Sequence, residues 1–79
     1  MSDTLQRTTP AERLAAQQYL ISGSREAITR IEAHQAWAQE SGDMAAYMQY
    51  EIAIRLLKNQ LAESERWAAQ LEKEVRHAH

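Results

Sequence analysis

Apolar residues in the second half of the chain repeat every seven positions, and this repeat constrains the fold more than any other feature. Tyr47, Ile54, Leu61, Ala68 and Val75 form one line, and Tyr50, Leu57, Ser64, Leu71 and Ala78 form a second line three residues further on. On an α-helix two such lines lie side by side and hold one face over about four heptads. A face of this kind is a narrow stripe and needs another helix packed against it. The β-rich runs broken by turns that mark a sheet domain are absent. One proline, two glycines and a wealth of Ala, Glu, Gln, Leu and Arg agree with a helical chain.

The partner helix is found upstream. Thr9-Pro10-Ala11-Glu12 reads as a helix start, with Thr9 as N-cap, Pro10 at the first helical position and Glu12 placed for a capping box. Leu14, Ile21, Ile28 and Gln35 then recur at steps of seven. Ile31 and Ala38 lie on the neighbouring line, which Gln17 and Ser24 complete poorly. Ser22-Gly23-Ser24 interrupts this stretch, either within one long helix or as a true break. Because the apolar phase passes from Ile21 to Ile28 without a skip, continuity is the favoured reading. Glu40-Ser41-Gly42-Asp43 is the clearest turn: Gly42 suits a left-handed cap and Asp43 can cap the second helix. The expected architecture is all-α: a flexible arm over 1–8, then a coiled-coil-like antiparallel hairpin over 9–79. Its helices are expected over about 10–40 and 44–76, with the turn at 41–43. At 1.5 Å per residue the helices should be about 45 and 50 Å long. A hairpin has one seam and no compact core, so a second copy or a partner protein is expected to complete it as a four-helix bundle.

The second helix carries more apolar surface than one neighbour can cover. Met44, Met48, Ile52 and Leu56 succeed one another at steps of four beside the Tyr47/Ile54/Leu61 line, and Trp67 joins Leu71 and Val75 further on. Tyr47, Ile54 and Leu57 are expected to face the first helix. Met44, Met48, Ile52, Leu56 and Trp67 are the candidate protein interface, where exposed apolar area calls for a covering surface and methionine adapts to imperfect contacts. Trp37 and Trp67 are candidate anchors, since Trp is enriched at interface hot spots. Glu26/Arg30, Glu51/Arg55 and Glu72/Arg76 are spaced as ion pairs on a helix surface, each worth a few tenths of a kcal/mol.

Little in the chain points to chemistry. It has no cysteine, which excludes disulfides and thiolate metal sites. No glycine-rich loop could cradle a phosphate, and a hairpin offers little of the concave surface that catalysis needs. His34 has no partner facing it at helical spacing. His77 and His79 fall short of the four ligands of a structural metal site. No catalytic residue, cofactor or metal is therefore expected. Nine basic and eleven acidic residues are intermixed, for a formal charge of −2, so the positive field behind non-specific nucleic-acid affinity is missing. Arg13, Arg25 and Arg30 would be the cations of an alternative nucleic-acid-associated regulator, gathered from two copies onto one face. No run approaches the length of a membrane span, and MSDTLQRTTP has no signal-peptide pattern. Cytoplasmic residence is the default expectation.

The segment GDMAAYMQYEIAIRLLKNQL resembles the beginning of the second helix in small type III secretion needle co-chaperones, through Gly42-Asp43, Tyr47 and the apolar residues after it. It covers about a quarter of the chain. The resemblance implies a helical hairpin that pairs with a helical-repeat protein to hold a needle subunit. The chain also resembles, in architecture, small plasmid and phage hairpins that dimerise into four-helix bundles. The functional expectation is a non-enzymatic interaction module (an adaptor, chaperone-like protein or inhibitor) whose partner is a second copy, another protein, or both. Backbone chemical shifts should show helix throughout from residue 10 with one sharp reversal at 41–43. Extended structure over more than a few of those residues would contradict this reading.

Overall fold

The computed structural model describes residues 8–77. It contains two helices, α1 (Pro10–Ser41, 32 residues) and α2 (Met44–His77, 34 residues), packed side by side in an elongated hairpin. The longest dimension is 55 Å. Among the described residues there is no strand. Apart from Thr8, the expected N-terminal arm lies outside the described residues, as do Ala78 and His79.

Each end of α1 is closed by the chemistry its sequence offers. Thr9 adopts an extended conformation, and its hydroxyl oxygen accepts from the Glu12 backbone N–H at 3.1 Å. The same hydroxyl donates to the Glu12 carboxylate at 3.2 Å, so the two side chains hold the first turn together. Pro10 stands where its missing N–H leaves no helical bond unmade. Arg13 reaches back to donate to the Thr8 carbonyl at 3.0 Å. The helix runs without interruption through Ser22-Gly23-Ser24, as the unbroken apolar phase implied.

The reversal is compact because two caps share it. Gly42 sits at φ 76°, a left-handed conformation open to glycine without steric cost. Its N–H donates to the Gln39 carbonyl at 3.2 Å, and the Asp43 N–H donates to the Ala38 carbonyl at 2.9 Å. Together these make a Schellman closure that satisfies carbonyls left over at the end of α1. Asp43 then opens α2, accepting from the Ala46 N–H at 3.1 Å through Oδ1. Residues 42 and 43 thus end one helix and begin the next, and the chain must fold back antiparallel.

Between the helices lies a single seam. Ile28, Ala38, Ile54, Ala68 and Leu71 are buried, together with Ser64. Leu14, Gln17, Ile21, Ser24, Ile31 and Gln35 on α1, and Tyr47, Tyr50, Leu57, Leu61 and Val75 on α2, are half-buried. Both heptad lines of each helix therefore face the seam. That includes Gln17 and Ser24, whose polarity weakens the α1 stripe without moving it. Arg25–Glu65 and Lys58–Glu32 bridge the helices at 2.8 and 3.8 Å, in the register that the short turn imposes. In that register Ser24 stands level with Ser64, and Ile21 with Ala68. Small residues across from others let the helices approach closely. Among the described residues no large side chain becomes fully buried, because two helices enclose a seam on two sides only.

Replacing Gly42 with Ala should lower stability by about 1 kcal/mol through the left-handed backbone. Asp43→Ala should cost a similar amount, about 1 kcal/mol, through the lost cap. Thermal unfolding followed by circular dichroism measures both, and an unchanged midpoint for Gly42→Ala would contradict the observed turn.

Candidate interaction surface

The apolar residues left over by the seam are the material of any site. Met44, Met48, Ile52, Leu56 and Trp67 are each more than half exposed, from 55% for Met48 to 64% for Leu56. The structure separates the two sets that the sequence distinguished: Ile54 is buried and Tyr47 and Leu57 are half-buried, while Met48, Ile52 and Leu56 stay outside. Trp67 does not join Leu71 and Val75 in the seam. Leu71 is buried and Val75 half-buried, but Trp67 sits one residue before the Ala68 line and so falls beside the contact instead of inside it.

Helix geometry decides how these residues are arranged. A step of four advances a residue by about 40° beyond a full turn, so Met44, Met48, Ile52 and Leu56 swing through about 120° around α2. Met44 lies on one flank of the hairpin, Ile52 on its outer side, and Leu56 at the border of the other flank. They form a winding stripe, not a single flat face.

The two flanks differ sharply in charge. One includes residues that come one position after the Ser24/Ile31 and Tyr50/Leu57/Ser64 lines: Arg25 and Glu32 on α1, and Glu51, Lys58 and Glu65 on α2. This flank carries the cross-helix polar contacts: Arg25 to Glu65, Lys58 to Glu32, and Gln35 Nε2 donating to Glu51 at 2.6 Å. Glu51, spaced to pair with Arg55, turns across the seam to Gln35 instead. The other flank is built from residues that precede the Leu14/Ile21 and Tyr47/Ile54 lines by one: Arg13, Leu20, Ala27, His34 and Ser41 on α1, and Ala46, Ala53, Gln60, Trp67 and Glu74 on α2. Its two charged members, Arg13 and Glu74, stand at the end far from the turn. On this side the His34 and Tyr50 rings stack, with centroids 5.9 Å apart.

Leu20 and Tyr19, exposed at 52% and 80%, belong to the apolar surface although sequence reasoning did not single them out. Leu20 was detectable as the residue flanking Ile21 on the same side as Ala27 and His34. Trp37 is also well exposed, so it adds to the outer surface and not to the core. The remaining ion pairs, Arg30–Glu26 and Arg76–Glu72, lie along single helices at 3.6 and 4.0 Å with both partners solvated, and contribute little to stability.

Among the described residues the hairpin presents no enclosed cavity for a small molecule. Open, shallow grooves lie along single helices, at Glu63, Arg66, Trp67 and Gln70 and at Arg25, Glu26, Thr29 and Arg30. Among the described residues no group of three or more His, Cys, Asp or Glu is placed to hold a metal ion, and no helix is long and apolar enough to cross a membrane. No family model, curated protein or solved structure matches the chain.

The contrast between seam and stripe is measurable. Ile54→Ala, in the seam, should lower the stability of the isolated protein by about 2 kcal/mol or more. Ile52→Ala, on the outer side, should change it by less than about 0.5 kcal/mol. Urea unfolding of the two variants makes the comparison, and equal losses would contradict the orientation of α2.

Proposed function

We propose that this chain is a non-enzymatic protein–protein interaction module that binds another chain, its own copy included, through the apolar surface of α2. The observation that carries this reading is the exposure of Met44, Met48, Ile52, Leu56 and Trp67 on a hairpin whose only core is a two-helix seam. Fully burying a side chain of this size is worth roughly 1.5–3 kcal/mol, and several such residues rival the stability of a whole small domain. A surface this apolar on so small a protein is characteristic of an adaptor, a chaperone-like protein or an inhibitor.

The resemblance of residues 42–61 to needle co-chaperones is a special case of this reading, in which a helical-repeat protein is the partner. The nucleic-acid alternative draws no support from the cations it would use. Arg25 and Arg30 each meet a carboxylate, Glu65 and Glu26, and Arg13 is engaged with the Thr8 carbonyl.

The test uses the native protein and a variant carrying Met48→Asp, Ile52→Asp and Leu56→Asp. All three positions are exposed in the hairpin, so the substitutions should leave its helicity intact by circular dichroism. Both proteins are immobilised and exposed to host lysate, and their oligomeric state is measured by light scattering. The expected result is a bound protein, or a self-associated state, that the native chain holds and the variant loses. A native chain that is monomeric and retains nothing the variant lacks would overturn the proposal.

A further inference from the structure

We propose that the Met44–Met48–Ile52 ridge of α2 receives a cationic amphipathic helix of another protein. This rests on the interaction-module reading and names the chemistry of the partner that reading requires.

Charge is segregated along the hairpin. Residues 31–54, the half nearest the turn, carry the carboxylates Glu32, Glu40, Asp43 and Glu51 and no Lys or Arg. All the Lys and Arg of the chain lie outside this stretch, mixed there with other Asp and Glu residues, and Arg30 and Arg55 bound it. Among the described residues only Glu32 of the four carboxylates meets a cation, Lys58 at 3.8 Å. Glu51 accepts from the neutral Gln35 side chain, and Asp43 from the Ala46 N–H. The one histidine of the stretch, His34, stacks on Tyr50 on the other flank.

Helix stability does not call for this charge. Cations favour a helix C-terminus, where the last carbonyls gather negative charge. α2 ends in that way, with Arg76 and His77 in its last turn. The last turn of α1 has no basic residue and holds Glu40 instead. A cationic partner seated near the turn brings the counter-charge that the hairpin itself lacks there.

The apolar part of the site lies in the same half. Met44, Met48 and Ile52 are exposed and follow one another at steps of four. Such a row is a ridge inclined to the helix axis, and ridges of this spacing interdigitate in the commonest class of helix pairs, with axes crossed by about 50°. The winding that prevents a flat face therefore suits a crossing helix. Glu51 lies within a turn of both Met48 and Ile52, and Asp43 precedes Met44. An apolar row on the partner meets the ridge, while Lys or Arg beside that row meets Glu51 and Asp43. The same carboxylates repel nucleic acid and anionic lipid. A second copy is a poorer match, because its cations are interspersed with carboxylates.

The test titrates the full chain with a synthetic amphipathic helix bearing Leu at i, i+4 spacing on one face and Lys elsewhere. A counterpart carries Glu in place of Lys. Binding is followed by calorimetry and by the methyl NMR signals of Met44, Met48 and Ile52. The Lys peptide should bind at least about tenfold more tightly than the Glu peptide, perturb those three methyl groups, and weaken as salt rises. A variant with Glu32→Gln, Glu40→Gln, Asp43→Asn and Glu51→Gln should bind the Lys peptide about tenfold more weakly. Asn at 43 keeps the α2 cap, so helicity should persist. Met48→Gln with Ile52→Gln should lose a similar factor, while Glu63→Gln with Glu74→Gln, in the other half, should change affinity by less than about twofold. Equal affinity for the two peptides, no binding of either, or Lys-peptide binding that survives both turn-half variants overturns the proposal. The lysate comparison above then judges the interaction-module reading separately. A native chain that doubles its mass with concentration, and loses this with Ile52→Gln, places a second copy on the ridge. That result overturns the cationic partner while upholding the interaction module.

Discussion

The rest of this structure depends on one constraint: two helices can share only one seam. Each helix of the hairpin buries its paired heptad lines and nothing else. Ile28, Ala38, Ile54, Ser64, Ala68 and Leu71 reach burial, and the remaining seam residues stop half-way. A third or fourth helix would close the open sides. Without one, apolar side chains beyond the seam lines meet solvent, however well the chain folds. The exposure of Met48, Ile52 and Leu56 thus comes from the same geometry that draws Ile54 and Leu57 inward.

The reversal at Gly42 and Asp43 makes the seam possible. It is short enough to leave the helices no choice but antiparallel contact, and it sets which residues stand level with one another. From that register come the bridges Arg25–Glu65 and Glu32–Lys58, and with them a charged flank. Such pairs add little stability at their exposure, but they mark a side of the molecule that is costly to cover. The opposite flank, with Leu20, Ala27, Ala53 and Trp67, carries its charges, Arg13 and Glu74, at the end far from the turn.

The outer stripe and the flank of Trp67 are different parts of the surface. Met44, Met48 and Ile52 turn away from the flank that Leu56 borders and Trp67 belongs to, because steps of four outrun the helical turn. The five residues that first suggested one interface therefore divide into two surfaces.

Much of this was legible in the sequence, for a physical reason. Helix ends are local: Thr9, Pro10 and Glu12 start α1, and Gly42 and Asp43 stop it and start α2, through hydrogen bonds made within a few residues. The seam lines are also legible, since a seven-residue repeat places residues on one helical face whatever lies opposite; even Gln17 and Ser24, poor seam residues by polarity, take their places by spacing alone. What the tertiary structure decided is everything that depends on the direction and register of the neighbouring helix. Which carboxylate Arg25 meets, why Glu51 turns to Gln35 and not to Arg55, why Trp67 stays outside while Leu71 is buried, and which flank carries charge are relations between two helices. A repeat within one helix says which side needs covering. Only the antiparallel packing of α1 on α2 determines what remains uncovered.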